Sequence, residues 1–589
     1  METLTYAIPA NLEDQVKVGN VVKIPFRKEE IFGLVIKIDN LKPKFATRDI
    51  LELGVITLPE TTVKLIEWIA AYYFCSLHTA AKLFLPLSIW NRKRPKKVTP
   101  AREEVNHMHE KCNLTPAQKK VFDAIIASKP GLHLLHGVTG SGKTEIYLHL
   151  IHEVIAEGKQ ALLLLPEISL TPQISDYFKN VFGQKVAVLH SEQSLKTKGE
   201  EWFRILRSEA QIVIGPRSAL FAPFQNLGLI VVDEAHDGSY KQDSSPRYHA
   251  NRVAAEYARL RDIPVIFGSA TPNIDTYYAA KKGTRLTLHE IKEKISKDTV
   301  RTTHVVDMRD EFKKKNFSPF SELLIEKLRG VLERKEQAIL FVNRRGMASS
   351  MICKDCGYKA ACDTCAIPLT YHHTRAKTYL SCHHCGLVKS VPEDCPLCGS
   401  VAFKFTGLGT EKVEEEIRGL FPLARMVRAD REILDKDASI EDIYMTFKRG
   451  EADILIGTQM IAKGWDIPNV TLVGVVLADI GLNVPDFRSS ERIFQLLTQV
   501  AGRTARGTLH GEVIIQTYNP ENPAITAAAG ENFDRFYTQE ISTRKTYGFP
   551  PFTKLFTCYF EGKSLQEAIK KAEDIALKFK EADTTLVKK

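Results

Sequence analysis

The stretch His133-Leu-Leu-His136, followed by Gly137, Val138, Thr139, Gly140, Ser141, Gly142, Lys143 and Thr144 and then by Glu145-Ile-Tyr-Leu-His-Leu150, decides the fold. It joins a short apolar run, an octet of the form G-x-x-x-x-G-K-[ST] and a helix-forming run, which is the strand, loop and helix context that motif requires. The glycines let backbone N–H groups curl around a β-phosphate at a helix N-terminus, Lys143 neutralises phosphate charge, and the Thr144 hydroxyl can ligate Mg²⁺. A chance match somewhere in 589 residues is on the order of a few per cent before the flanks are required.

The other half of such a site lies at Leu229-Ile-Val-Val-Asp233-Glu234-Ala-His236, an apolar strand ending in two carboxylates. Asp233 can hold Mg²⁺, and Glu234 can orient and polarise the attacking water, as in-line phosphoryl transfer demands. Alone, an Asp-Glu pair at a strand end is usually a solvated loop. Together with the loop around Lys143 it reads as a nucleotide hydrolase.

Working outward, strand-like runs at Leu132–Leu135, Ala161–Leu165, Gln211–Ile214, Leu229–Val232 and Val265–Phe267 alternate with helix-length segments, the rhythm of a parallel sheet. A second series includes Ala338–Val342, Ile454–Ile456, Leu472–Val476 and Val513–Ile515, so two α/β lobes flanking a cleft are expected. In the second series Ile454-Leu-Ile-Gly457-Thr458-Gln459 precedes Ala462-Lys463-Gly464-Trp-Asp466 and Gln499-Val-Ala-Gly502-Arg503-Thr-Ala-Arg506. An arginine in a lobe facing the phosphates can stabilise the transferring group and report hydrolysis, a role open to Arg503 and Arg506. Ahead of both lobes, Val21–Ile24 and Ile31–Ile36 are strand candidates and Leu65–Phe74 is amphipathic, which suggests a small β-rich domain. The basic run Arg92-Lys93-Arg94-Pro95-Lys96-Lys97 reads first as an exposed linker and second as a phosphate-binding patch.

Lys plus Arg exceed Asp plus Glu by 81 − 71 = 10, a modest surplus that permits a polyanionic partner without proving one. No run of 18 apolar residues occurs and no signal peptide is visible, so a membrane is not indicated and the cytoplasm is the expected compartment. Eight of the 11 cysteines lie between Cys353 and Cys398, as the pairs Cys353/Cys356, Cys362/Cys365, Cys382/Cys385 and Cys395/Cys398. Each C-x-x-C lets two thiolates point at one ion, so four pairs make two tetrahedral Cys₄ sites almost by count. Iron–sulfur ligation is the chemical rival. Gly357, Gly386 and Gly399 directly after second cysteines resemble zinc ribbons and favour two Zn²⁺. Sequence alone leaves three ways to pair the knuckles.

Over roughly residues 113 to 520 the chain resembles superfamily 2 helicases, with the motifs in family order. Leu114-Thr-Pro-Ala-Gln118 resembles the adenine-reading segment, Leu164-Leu-Pro-Glu167 and Gly215-Pro-Arg217-Ser218 resemble loops that grip DNA phosphates, and Gly268-Ser-Ala-Thr271 resembles the coupling motif. Each is bland in isolation, and the weight lies in their order. Within the superfamily, Leu164-Leu-Pro-Glu-Ile-Ser-Leu-Thr-Pro-Gln173, Arg217-Ser-Ala-Leu-Phe221, Ser239–Gln242 with Arg247-Tyr248-His249, and Phe341-Val-Asn-Arg-Arg-Gly346 are similar to the bacterial replication-restart helicase family. That resemblance covers essentially the whole chain.

It implies an α/β fold of two RecA-like parallel-sheet lobes, with a small N-terminal β-rich domain and a zinc-binding insertion in the second lobe. The implied divisions are an N-terminal 3′-end-binding-like domain over 1–90, a basic linker over 91–113, a first lobe over 114–290, and a second lobe over 291–352 and 400–525. The zinc insertion takes 353–399, and 526–589 would start a C-terminal domain, truncated here. The implied activity is ATP-dependent 3′→5′ unwinding of branched and single-stranded DNA by a monomer, with ATP, Mg²⁺ and two Zn²⁺. Single-stranded-DNA-binding protein and other primosome proteins are the implied partners. The resemblance pairs Cys353, Cys356, Cys395 and Cys398 on one ion and Cys362, Cys365, Cys382 and Cys385 on the other. It makes Arg217, Tyr240, Lys241, Arg247 and Tyr248 DNA contacts, the tyrosines by stacking on bases.

Several positions depart from the family. A winged-helix module expected between the first domain and the lobes finds only about two dozen residues between Trp90 and Leu114. Thr5 stands where an acidic reader of a DNA 3′ end is expected, Arg27 where a glycine is, Ala235 where a glutamate is common and Ala505 where a glycine is common. Two rivals remain on this reading: an RNA helicase of the same superfamily, and a fork-recognition protein whose ATPase serves assembly.

Overall fold

The structure is a computed structural model; it describes the chain except residues 1–2, 41–43, 86–112, 129, 167–171, 191–192, 284, 296–300, 343–350, 365–367, 374–377, 383–386, 405–409, 431–432, 434–439, 459–460, 462–466, 468, 483, 485, 505–509, 556 and 583–589. The basic run at 92–97, the expected winged-helix gap, Glu167, Arg506, Cys365 and Cys385 therefore lie outside the described residues. Two compact units emerge, one over Met1–Asp298 and one over Thr299–Ala462 with Asp466–Lys589.

The first unit opens with a three-stranded antiparallel sheet in the order β2-β1-β3, where β1 is Asn20–Phe26, β2 Glu29–Leu34 and β3 Glu52–Thr57. Alternation along β1 buries Val22 and Ile24 with Val16 and Ile50 in a small core. The helix Glu60–Tyr72 buries Thr62, Val63, Leu65, Ile66 and Ile69, a stripe at helical spacing. It packs on the helix Ala250–Arg261, where the Thr62 and Tyr257 hydroxyls lie 3.3 Å apart.

The rest of this unit is a seven-stranded parallel sheet in the order β10-β4-β9-β8-β5-β7-β6. Its strands are β4 (Leu132–Gly137), β5 (Gln160–Leu164), β6 (Val186–Val188), β7 (Ile212–Gly215), β8 (Leu227–Val232), β9 (Val265–Ser269) and β10 (Leu286–Ile291). Central strands here are apolar along their whole length because helices cover both faces, and β8 is buried at every position. Each fully buried Leu, Ile or Val contributes about 1.5–3 kcal/mol, which makes this sheet the main source of the unit's stability.

The second unit repeats the plan with a six-stranded parallel sheet, β11-β21-β20-β12-β19-β18. Its strands are β11 (Arg301–Asp307), β12 (Gln337–Phe341), β18 (Met426–Ala429), β19 (Ile454–Gly457), β20 (Val470–Val475) and β21 (Gly511–Thr517). The cysteine-rich segment is inserted after β12. The pairing of β13 (Ile352–Cys353) with β17 (Phe403–Lys404) closes its base, and β14 (Thr370–His373), β15 (Thr378–Ser381) and β16 (Val388–Lys389) form an antiparallel sheet inside it.

The helix Phe533–Tyr547 packs on the second lobe's helix Ser489–Ala501, with Phe494 and Phe536 stacked at 4.4 Å. Buried Arg544 binds Glu491 at 2.6 Å and Glu540 at 2.9 Å. These apolar and ionic contacts extend the second lobe beyond residue 525. In the first lobe, β10 ends at Ile291.

Candidate functional site

The phosphate loop follows β4 and ends at Gly142, whose left-handed backbone (φ 72°) starts the helix Lys143–Ala156. Thr115 and Gln118 cap the preceding helix, Pro116–Ala127, reciprocally, and the Gln118 amide donates to the Ser141 and Gly142 carbonyls at 2.9 and 3.2 Å. Gln118 therefore braces the loop from beneath. Its oxygen accepts from Thr115 N–H, so both ends of the amide are engaged within the protein rather than presented to an adenine. Lys143 donates to the Gly137 carbonyl at 2.9 Å, lying along the loop it serves.

β8 delivers Asp233 and Glu234 to the same end of the sheet. The Tyr147 hydroxyl, one helical turn beyond Thr144, donates to Asp233 at 3.0 Å. Burial, followed by the charge of Glu234, pushes the Asp233 carboxyl up to about 6, while Lys143 pulls the other way. Glu234 adopts φ 45°, the left-handed region that costs a non-glycine residue free energy and that clusters at functional sites. Beyond it, His236 lies 2.7 Å from the Ser269 hydroxyl and 3.4 Å from that of Thr271, joining the carboxylate strand to the turn after β9. A Cβ on Gly268 would fall 1.6 Å from the Tyr147 oxygen, so any side chain there would displace the Tyr147 hydroxyl from Asp233. Neither Tyr147 nor the His236 link was expected from sequence. The one-turn spacing from Thr144 was the available signal for Tyr147.

Thr144 and Asp233 also border a cavity of about 220 Å³ walled by Tyr147, Leu163, Leu165, Ile174, Tyr177 and Phe178. The fit to Mg²⁺ is chemical. A hydroxyl and a carboxylate face the same space, and the raised carboxyl is what a site for a hard cation shows before the ion neutralises it.

The expected DNA contacts divide. Tyr240 is 0% exposed and its hydroxyl donates to the Leu164 and Asp233 carbonyls, while Tyr248 is buried edge-on against Phe221. Neither ring is open to a base, because both fill the lobe's own core. Arg217 donates to the Ser239 and Lys241 carbonyls and so holds the loop that carries these residues. Lys241 is exposed and Arg247 partly so. In the N-terminal domain Thr5 is exposed, and the Tyr6 hydroxyl binds the Pro25 carbonyl at 3.0 Å. Arg27 has φ 55° in the turn joining β1 to β2, the backbone that a glycine takes without strain.

In the second unit the sulfurs of Cys353, Cys356, Cys395 and Cys398 all lie within 4.8 Å of one another, with Cys353–Cys398 at 3.7 Å and Cys356–Cys395 at 3.4 Å. Tetrahedral Zn–S bonds of about 2.3 Å put sulfurs about 3.8 Å apart, so these four fit one Zn²⁺. Gly357 and Gly399 return N–H bonds to the Cys353 and Cys395 carbonyls from left-handed backbone, shaping each knuckle. Gly357 admits no side chain, since a Cβ would meet the Tyr518 carbonyl at 2.2 Å. Cys362 and Cys382 are buried together in the insertion's other core with Leu369, Leu380 and Phe549. Arg503 follows the helix Ser489–Ala501, its N–H bonded to the Val500 carbonyl.

Three family models match: a 3′ DNA-binding domain at 1–86, a DEAD/DEAH box helicase at 115–279 and a helicase conserved C-terminal domain at 434–508. Replication restart protein PriA of Chlamydia trachomatis is 36% identical over 660 aligned positions, covering 97% of this chain and 87% of that protein. The chain belongs to the PriA replication restart family. PriA of Bacillus subtilis is 44% identical over 481 positions, 81% of this chain but 59% of its own length. Among solved structures, RecG bound to a three-way DNA junction is similar with a TM-score of 0.43 and 18% identity, covering 78% of this chain and 50% of that one. Membership of the PriA family accounts for an antiparallel N-terminal domain ahead of two parallel-sheet lobes with a cysteine-rich insertion in the second. No helix among the described residues is long and apolar enough to cross a membrane.

Proposed function

We propose that this chain is an ATP-dependent 3′→5′ DNA helicase that recognises stalled or branched replication forks and starts replication restart by assembling a primosome. The observation that carries the reading is the meeting of the Lys143 loop with Asp233 and Glu234 at one end of the parallel strands, in a chain whose first domain matches a 3′ DNA-binding model. Lys143 moves from the Gly137 carbonyl onto nucleotide phosphate, and Thr144 and Asp233 would hold Mg²⁺, which when bound supplies charge neutralisation on the phosphate oxygens. Glu234 orients a water in line with the γ-phosphate. Its strained backbone and the His236 bridge to Ser269 and Thr271 pass the change on hydrolysis to the turn after β9. Arg503 and Arg506 are proposed as the arginines that stabilise the transferring phosphoryl group from the second lobe.

Two Zn²⁺ are proposed, one on Cys353, Cys356, Cys395 and Cys398 and one on Cys362, Cys365, Cys382 and Cys385, both closed by thiolates and hence structural. The purified protein should contain two zinc ions, and Cys353→Ala should lose one of them; iron in their place overturns this part. Single-stranded and branched DNA, single-stranded-DNA-binding protein and primosome proteins are the proposed partners of a monomer acting in the cytoplasm. The test of class is ATPase stimulation by matched DNA and RNA strands. Stimulation by DNA alone supports the reading, and equal or greater stimulation by RNA contradicts it.

A further inference from the structure

The helix Glu60–Tyr72 ends in an aromatic cluster that packing does not explain. Trp68 and Tyr72 stack at 4.7 Å and 17°, and Tyr73 meets both rings edge-on, at 6.1 and 4.9 Å. Tyr73 has a structural reason, since its half-buried hydroxyl accepts the His249 N–H at 3.1 Å and fastens the helix to the first lobe. The other two do not share it fully. Tyr72 is 45% exposed and Phe74 is 83% exposed.

Phe74 is the more informative residue. It has φ 52°, with Cys75 N–H returning to the Ala70 carbonyl at 3.0 Å, which is the helix-ending turn whose left-handed position ordinarily holds glycine. A phenylalanine there costs conformational energy and places a bare ring in water, so burial gives no reason for it.

One cation from the first lobe lies beside each of Tyr72 and Tyr73. The Arg252 guanidinium lies 5.5 Å from the Tyr72 ring centre, with Nε 3.3 Å from its hydroxyl, and Lys241 Nζ lies 5.9 Å from the Tyr73 ring centre. Lys241 and Arg252 are both exposed. Exposed aromatic faces alternating with cations are the surface that single-stranded nucleic acid takes, bases on rings and phosphates on charges.

We infer that Tyr72 and Phe74, at a helix end where Arg252 lies against Tyr72 and Lys241 against Tyr73, form a stacking platform for unpaired bases of single-stranded DNA, built jointly by the N-terminal domain and the first lobe. The inference rests on the DNA-helicase reading above and names a contact surface within it. It also relocates the base stacking expected of Tyr240 and Tyr248, whose rings are buried, to the neighbouring helix. DNA on this platform would touch the 241–247 loop, seven residues beyond the Asp233-Glu234 pair, and so bind next to the hydrolytic site.

The test compares oligothymidylate with an abasic strand of equal length and phosphate count, titrated by anisotropy at fixed salt. Wild type, Phe74→Ala and Tyr72→Leu are measured, together with ATPase stimulation by the same strands. Phe74 is so exposed that its truncation should leave the melting temperature unchanged. The platform predicts about tenfold weaker oligothymidylate binding in each variant, with abasic binding unaltered, because stacking needs a base. Equal losses on both strands, or no loss on either, overturn the platform while wild-type DNA-stimulated ATPase leaves the helicase reading standing. Wild-type protein that neither prefers bases over abasic strand nor is stimulated by them overturns both.

Discussion

Asp233 follows β8 in the first lobe and Asp479 follows β20 in the second, both strands central in their sheets. Asp479 is 0% exposed, and both its oxygens are engaged, one by Lys359 from the cysteine-rich insertion at 2.8 Å and the other by the Tyr518 N–H at 2.8 Å. Asp233 has the Tyr147 hydroxyl, a distant pull from Lys143 and the repulsion of Glu234 beside it. A carboxylate whose charge is balanced within the protein holds the fold together. One whose pKa is raised because burial opposes its charge is ready for a cation, and the fold is less stable for it. The second lobe thus uses its buried charge to dock the insertion, and the first keeps its own for chemistry.

Substitutions sharpen this contrast, starting with the strongest. Lys143→Ala should lower ATP turnover by ~3–4 kcal/mol of transition-state stabilisation, a hundredfold or more, while sparing DNA affinity, since the loss is one preorganised charge. Steady-state ATPase at saturating DNA checks it, and near-normal turnover would mean that the site is misplaced. Lys359→Ala should leave Asp479 buried without its cation and cost about 3 kcal/mol of stability, seen as a shifted denaturation midpoint of the second unit. If that variant is as stable as wild type, the docking half of the comparison fails.

Asp233→Asn should act in the opposite sense. A carboxyl raised to about 6 binds more protons folded than unfolded between its ordinary 3.8 and 6, so folding loses stability as pH climbs through that window and the penalty is complete above it. The amide removes the penalty, so the variant should be inactive yet more stable by about 2 kcal/mol at pH 7, with the gain gone near pH 3.5. Thermal melts of nucleotide-free protein at the two values would show it, and a destabilised variant at pH 7 would contradict it.

The smallest effect concerns His133 on β4, which lies 3.1 Å from His289 on β10; burial lowers the His133 pKa to about 4. A histidine lowered on folding is held neutral, so its contribution is intact above 6.5 and is lost as pH falls from 6.5 toward 4. His133→Asn should flatten that part of the stability profile by about 1 kcal/mol, less than the full shift because His289 shares the position. Urea midpoints across the range give the slope, and an unchanged slope would place the titrating group elsewhere.

Legibility followed burial. The nine strands of the two lobes recognisable from sequence, from Leu132–Leu135 to Val513–Ile515, are all interior to their sheets, where both faces are covered and apolar residues run continuously. The four missed strands, β6, β10, β11 and β18, are the four sheet edges. Edge strands such as Leu286-Thr-Leu-His-Glu-Ile291 and Arg301-Thr-Thr-His-Val-Val-Asp307 carry polar residues that blunt pairing with other chains, and this erases the signal. The phosphate loop and the two thiols within each C-x-x-C were legible because local spacing brings them together, whereas the meeting of Cys353 and Cys356 with Cys395 and Cys398 depends on the folded chain and was implied only by the family resemblance. The aromatic contacts were not legible. Whether Tyr240 or Tyr72 faces water depends on partners distant in sequence, Leu164 for the first and Arg252 for the second, and no local pattern records that.

The central claim is that the Lys143 site drives DNA unwinding. The most direct measurement is strand separation on a labelled fork with a 3′ single-stranded arm, with ATP, without it, and with Lys143→Ala protein. The account predicts unwinding only by the unaltered protein with ATP, and fork binding by both proteins. Equal strand separation without ATP or by Lys143→Ala, or no separation by unaltered protein that still hydrolyses ATP on the fork, would contradict it.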